Sequence, residues 1–288
     1  MSTQPPSPAA EMPIPFTKMN GLGNEIVVVD FRKSAKQFTA AEAAAIAASP
    51  RSHFDQMMVM HAPRTAGTEA YVRIYNTDGS EAEACGNGMR CIGWLAARET
   101  GKSQLKFETV AGILDVGVTS KDRISVDMGT PKFGWADIPL IEPFHDTRQI
   151  ELQVGPIDAP LIHSPSVVNI GNPHAIFWVT RLDVVDLGKV GPMLEYHRMF
   201  PERANISLAV VKNRGEILLK TWERGAGLTR ACGSAACAAA VAAARKKLTD
   251  RQVTVHVPGG PLSIDWRADD HIIMTGPVEE EYVGELSA

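Results

Sequence analysis

One short motif occurs twice in this chain: a cysteine, then glycine and a small polar residue, just ahead of a helix-forming run. The first copy, Ala84-Cys85-Gly86-Asn87-Gly88, leads into residues 89–98; the second, Ala231-Cys232-Gly233-Ser234, leads into an alanine-rich run, 147 positions further on. Other landmarks repeat in the same order. Gly23-Asn24 ahead of the apolar Ile26-Val27-Val28-Val29 matches Gly171-Asn172 ahead of Ala175-Ile176-Phe177-Trp178, and residues 107–114 match 255–262, both at an offset of 148. Preserved order over separated landmarks marks a duplication. The expected fold class is therefore α+β, with two similar halves. Each half is a sheet of short strands wrapped on a helix that begins at its cysteine. The glycine and proline of Gly129-Thr130-Pro131 place the boundary near residue 130. Thr39 and Glu42 form a capping box for a helix over residues 40–48, and strands are expected over 26–30, 57–60, 71–75 and 216–222.

With 288 residues the chain is long enough for one large domain or two ordinary ones. A net charge of −4, with no basic run longer than Arg245-Lys246-Lys247, argues against a nucleic-acid partner. Residues 1–15 hold five prolines and lack a basic segment followed by an apolar one, so they read as a disordered tail rather than a secretory signal. No apolar run reaches membrane-spanning length, which makes a cytoplasmic protein without a membrane partner the expectation. The four cysteines have neither disulfide-framework nor zinc-site spacing, and no metal is expected.

A helix N-terminus carries unpaired N–H groups and the positive end of the macrodipole. A cysteine placed there is expected to have a lowered pKa, making thiolate accessible near neutrality, and the same N–H groups can bind a carboxylate. If the halves meet about a pseudo-twofold axis, both helix starts point into one cleft, and Cys85 and Cys232 face each other across a single substrate carbon. That pair suits inversion of a carbon, one thiolate removing a proton while the opposite thiol delivers one. The amides of Gly86, Asn87, Gly233 and Ser234 are placed to stabilise the enolate-like charge that develops on an amino-acid carboxylate. The derived reaction is racemisation or epimerisation at an α-carbon with no cofactor. Inert core cysteines in a ligand-binding protein, or thiol redox chemistry, are the competing readings. Cys91 and Cys237, inside the helices, read as core residues.

From Phe16 onward the chain resembles the diaminopimelate epimerase family. The resemblance is carried by Gly21-Leu22-Gly23-Asn24, Phe54-Asp55-Gln56, Asn76-Thr77-Asp78-Gly79-Ser80, Gly171-Asn172-Pro173-His174, Pro201-Glu202-Arg203-Ala204-Asn205, Glu223-Arg224-Gly225-Ala226-Gly227 and the two cysteine motifs. It implies two pseudo-symmetric domains, residues 16–130 and 131–276, each a barrel-like mixed sheet around a central helix. Residues 277–288 return to the first domain, and the active site lies between the two. It implies Cys85 and Cys232 as acid and base, and Gly86-Asn87 and Gly233-Ser234 as the carboxylate cradle. Asn24, Asn76, Asn172, Asn205, Glu223 and Arg224 would hold the distal amino-acid end, and Gln56 would line the cleft. His174 either positions the distal end or supports its loop. The implied activity is the LL-to-meso epimerisation of lysine and cell-wall precursor synthesis, with an amino-acid substrate, in a homodimer. Related racemases acting on other amino acids remain the alternative. Four residues depart from the family's pattern, Asn20, His53, Leu228 and Ala235, and they bear on cleft geometry.

Overall fold

The computed structural model describes residues 13–83 and 85–286; Ala84 of the first motif and residues 1–12 of the proline-rich stretch lie outside the described residues. The first half runs β1 (Ile14–Asn20), β2 (Glu25–Phe31), α1 (Ala40–Ala48), β3 (Gln56–His61), β4 (Ala70–Asn76), α2 (Gly86–Thr100), β5 (Gln104–Thr109), β6 (Gly112–Ser120) and β7 (Arg123–Asp127). A connection follows, carrying the small ribbon of β8 (Gln153–Val154) and β9 (Ile162–His163). The second half runs β10 (Ser166–Asn169), β11 (Pro173–Trp178), α3 (Leu187–Glu195), β12 (Asn205–Asn213), β13 (Glu216–Glu223), β14 (Gly227–Leu228), α4 (Gly233–Arg245), β15 (Gln252–Val257), β16 (Gly260–Trp266) and β17 (Ile272–Gly276), before the final β18 (Glu279–Leu286).

Strand pairing shows the duplication directly. β2 and β3 pair in parallel across α1, as β11 and β12 do across α3. β4 and β5 pair in parallel across α2, as β13 and β15 do across α4. Each half closes with an antiparallel meander, β5–β6–β7 and β15–β16–β17, and the two meanders join where β7 pairs with β17. β18 runs antiparallel to β1, with Ile14 opposite Leu286. Thus β1 begins two residues before Phe16, inside the stretch read as tail, because Ile14 is buried against the core beneath α1.

The register makes particular residues equivalent. Asn24 stands two positions before Ile26, which pairs with Gln56, which pairs with Asn76. Asn172 stands two positions before His174, which pairs with Asn205 at the start of β12, beside β13 ending at Glu223. Three packed cores follow. One surrounds α2 and α4 and spans both halves, and the others lie under α1 and α3. α4 is buried almost all round, which explains its alanines: small side chains let strands close on every face of the helix. Cys91 and Cys237 are fully buried in this shared core. The capping box of Thr39 and Glu42 forms at the start of α1.

The turn between β4 and α2 sets where the first cysteine lands. Asp78 Oδ1 accepts from Ser80 N at 2.9 Å, and Gly79 adopts φ +83. A Cβ there would lie 2.0 Å from the Ala40 carbonyl oxygen. Gly79→Ala therefore combines backbone strain with a backbone clash, and is expected to lower unfolding free energy by at least about 2 kcal/mol. Urea unfolding checks this; a midpoint equal to wild type would contradict it.

Candidate active site

A cavity of about 710 Å³ lies between the halves, and all thirteen residues singled out in the sequence line it. Cys85 caps α2, its Sγ accepting from Gly88 N at 3.2 Å and lying 3.7 Å from Gln56 Oε1. Cys232 occupies the same cap position on α4 without a side-chain capping bond, its Sγ 3.5 Å from Ser234 Oγ. Gly86 and Gly233 open the two helices and share one neighbour. A Cβ on Gly86 would lie 2.6 Å from Met274 Cε, and one on Gly233 2.7 Å from Met274 Sδ. Asn87 Nδ2 donates to the Ala231 carbonyl at 3.1 Å, bridging the first helix start to the residue before Cys232. The Asn87 side chain is thus used between the halves, and its backbone stays at the helix start.

Polar residues line much of the rest of the cavity. Asn205 accepts from Arg224 N at 2.9 Å and donates to the Pro173 carbonyl at 2.9 Å. Arg224 Nη1 donates to the Glu202 carbonyl at 3.0 Å. Asn24 Nδ2 donates to Asp55 Oδ2 at 3.3 Å, leaving Asn24 Oδ1 buried with no partner in the protein. Asn76 Nδ2 bonds Ser80 Oγ at 3.0 Å, so it holds its turn while also lining the wall. A pocket lined by donors, an unused buried acceptor, a guanidinium, a carboxylate and two helix N-termini can hold a small molecule charged at both ends.

The sequence model of the diaminopimelate epimerase family matches residues 16–134 and 166–280. The chain belongs to the diaminopimelate epimerase family. A protein of that name from Afipia carboxidovorans is 61% identical over 271 residues, 93% of each chain. Another from Rhizobium meliloti is 58% identical over 274 residues, covering 94% of this chain and 91% of the relative. Among solved structures, a predicted epimerase from Pseudomonas aeruginosa superposes with a TM-score of 0.69 at 17% identity, over 96% of this chain and 99% of that one. A hydroxyproline epimerase from Agrobacterium vitis superposes with a TM-score of 0.65 at 12% identity, over 96% and 94%. These two share the two-domain repeated fold.

None of the four departures from the family's pattern lines the cavity. Asn20 Oδ1 accepts from Gly23 N at 2.6 Å and steadies the Asn24 loop. His53 Nδ1 meets the Ala47 carbonyl at 2.9 Å. Leu228 is half exposed on β14, and Ala235 is buried in α4. The cleft geometry is therefore left to the residues that follow the family's pattern.

The electrostatics overturn one expectation for this family member. Both thiols have raised pKa values, not lowered ones. Burial pushes Cys85 up to about 11; Glu223 adds to this, and Gly88 N–H and Arg90 offset it. Burial raises Cys232 well above the ordinary thiol range, and the Glu223 carboxylate adds to it. Loss of water around the sulfur outweighs the helix terminus here. Glu223 is itself raised by burial, moderated by bonds from Thr229 and Cys232. His174 is driven down to about 3, first by burial and then by Arg224. It does not line the cavity. Neutral His174 bonds through Nε2 to Asn172 Oδ1 at 2.7 Å, so its place is behind the loop that carries Asn172.

Sequence reading missed several wall residues. Ala136, Asp137 and Pro139 come from the connection between the halves, which offers no periodic signal. Arg203 sits inside a family motif but had been given no role. Glu195, buried at the end of α3, accepts from Trp222 Nε1 at 2.7 Å and Gly225 N at 3.0 Å and faces Arg203 at 3.6 Å, fixing the corner that presents Arg224. A glutamate ending a helix carries no sign of this.

The depressed His174 value has a direct consequence for stability. Its folded pKa lies below the unfolded value, so the stabilisation is complete above about pH 6.5 and is lost as pH falls toward about 3. Stability is expected to fall by about 1.4 kcal/mol per pH unit from this group within that window. Urea unfolding at pH 7, 6 and 5 should show a shallower decline in His174→Gln than in wild type; equal slopes would contradict it.

Proposed function

We propose that this protein interconverts LL- and meso-diaminopimelate by a two-base mechanism without a cofactor. The observation that carries the reading is one cavity lined by the two helix starts at Cys85 and Cys232 together with Glu223, Arg224, Asn24, Asn76, Asn172 and Asn205. A thiolate on one face of the α-carbon takes its proton while the thiol on the opposite face donates one. The carbon inverts, and the two sulfurs exchange protonation states. Charge developing on the α-carboxylate falls to the N–H groups of Gly86, Asn87, Gly233 and Ser234, which need no reorganisation to receive it. The distal carboxylate pairs with Arg224, whose backbone Asn205 holds. The distal ammonium takes the unpartnered Asn24 Oδ1 and the Glu223 carboxylate as acceptors. Gln56, Asn76 and Asn172 complete the wall, Asn172 being steadied by His174.

We infer a division of the chain near residue 130, with residues 277–288 completing the first half. β7 ending at Asp127 and the pairing of β18 with β1 support this division. Among the described residues no helix is long and apolar enough to cross a membrane. A cytoplasmic homodimer is inferred from the family resemblance alone.

Incubation with LL-diaminopimelate in deuterated water is expected to yield meso product carrying α-deuterium. Cys85→Ser and Cys232→Ser, both folded, are each expected to lose about 10²- to 10⁴-fold in turnover. Wild-type turnover of another amino acid instead of diaminopimelate would transfer the mechanism to that substrate. Full activity in either variant would end the two-base reading.

A further inference from the structure

Arg90 is the largest side chain wholly shut from solvent in this protein, and it lies in the first turns of α2, directly behind Cys85. A cation at the N-terminal end of a helix opposes the macrodipole, and a buried charge ordinarily has a counter-ion. Among the described residues Arg90 forms no ion pair with a carboxylate. Its Nη1 donates to Asn87 Oδ1 at 3.0 Å and lies 3.7 Å from Met274 Sδ, and its Nε reaches the Pro277 carbonyl at 3.4 Å. Its Nη2 is buried with no partner. The slot is shaped for the guanidinium. A Cβ on Gly276 would lie 3.3 Å from Arg90 Cζ, and one on Gly21 3.5 Å from Nη2.

The ionisable groups that face this cation are thiols: Cys85 and Cys91 from α2, and Cys237 from α4. Of these, Cys85 alone lines the cavity. The bond from Arg90 to Asn87 continues through Asn87 Nδ2 to the Ala231 carbonyl, one residue ahead of Cys232. Arg90 therefore holds Asn87, whose own side chain reaches the second arm, while Arg90 itself does not line the cavity. We propose that Arg90 is a positioning residue of the two-thiol centre, holding the two helix starts in register through Asn87 and placing behind Cys85 the positive charge that favours its thiolate. Glu223 opposes the ionisation of both Cys85 and Cys232, and Arg90 offsets it at Cys85. This inference rests on the two-base reading for its kinetic part, while its electrostatic part stands on Cys85 alone.

The test uses Arg90→Met, which removes charge and hydrogen bonds, and Arg90→Lys, which keeps the charge but not the fork. Alkylation of Cys85 by iodoacetamide, followed by mass spectrometry of its peptide across pH, reports thiolate without any substrate. In Arg90→Met the alkylation midpoint is expected to rise by about one pH unit or more, a tenfold loss of thiolate at fixed pH. In Arg90→Lys the midpoint should stay near wild type, while kcat for diaminopimelate falls about tenfold with little change in KM. If Arg90→Met does not fold, as judged by circular dichroism, Arg90→Gln takes its place in the alkylation arm with the same expectation. An unchanged Cys85 midpoint in the neutral variant overturns the charge role; wild-type kcat in Arg90→Lys overturns the register role. Should wild-type enzyme leave diaminopimelate untouched, the substrate assignment fails, and the alkylation shift still decides the role of Arg90.

Discussion

Gly86 and Gly233 both lie against the side chain of Met274, and Asn87 of one half reaches the Ala231 carbonyl of the other. This close approach of two helix N-termini is the constraint on which the rest depends. It favours glycine after each cysteine, since a Cβ at either position would displace the end of the Met274 side chain. It also requires a shared core around α2 and α4, which the joining of β7 to β17 and the small residues of α4 supply. Two helix ends with unpaired N–H groups repel each other's dipoles when both point at one place. Such an arrangement is stable with something anionic between the two ends, which is a physical reason to expect a carboxylate there.

The equivalences of the duplicated fold extend into the cavity. Asn24 answers to Asn172, Gln56 to Asn205, Cys85 to Cys232 and Asn87 to Ser234, while Asn76 answers to Glu223. Near the sulfurs the two halves are alike, as inversion of a carbon with two exchangeable bases requires. Further out they differ, with Glu223 and Arg224 in one half against Asn76 and Thr77 in the other. A symmetric reaction centre inside an asymmetric binding wall allows one orientation of a substrate with a charged distal end. Buried support is asymmetric too. His174 takes the place that Ile26 holds in the first half, exchanging an apolar contact for a hydrogen bond to Asn172.

Much of this was legible in the chain because it is written in local chemistry. Cysteine, glycine and a helix-forming run mark a helix start in both halves, and Thr39 with Glu42 marks another. Repetition at a near-constant offset made two such starts into one architecture. What escaped is what depends on distant approach. Glu195 and Arg90 are ordinary helix residues in sequence, and only the packed core makes them buried charges. The connection that supplies Asp137 and Pro139 to the cavity has no periodicity to read. The thiol pKa values were misjudged for a related reason: a helix N-terminus is a sequence-local feature, whereas desolvation is set by the whole surrounding core, and the core outweighs the dipole.

That reversal sharpens how the site must operate. A pair of thiols held protonated in the empty cavity is protected from alkylation and oxidation, both of which proceed through thiolate. Ionisation then has to be favoured by what surrounds the sulfurs when a substrate is present. Under the proposed function, an α-ammonium group brought beside a sulfur would supply a cation, with the substrate carboxylate on the helix N–H groups. The neighbours already present are unequal: Glu223 acts on both thiols, and Arg90 offsets it at Cys85. A symmetric fold thus carries two thiols in unequal surroundings. The difference lies in residues outside the duplicated motif, since Arg90 answers to Cys237 and Glu223 to Asn76, at positions where the two halves have diverged.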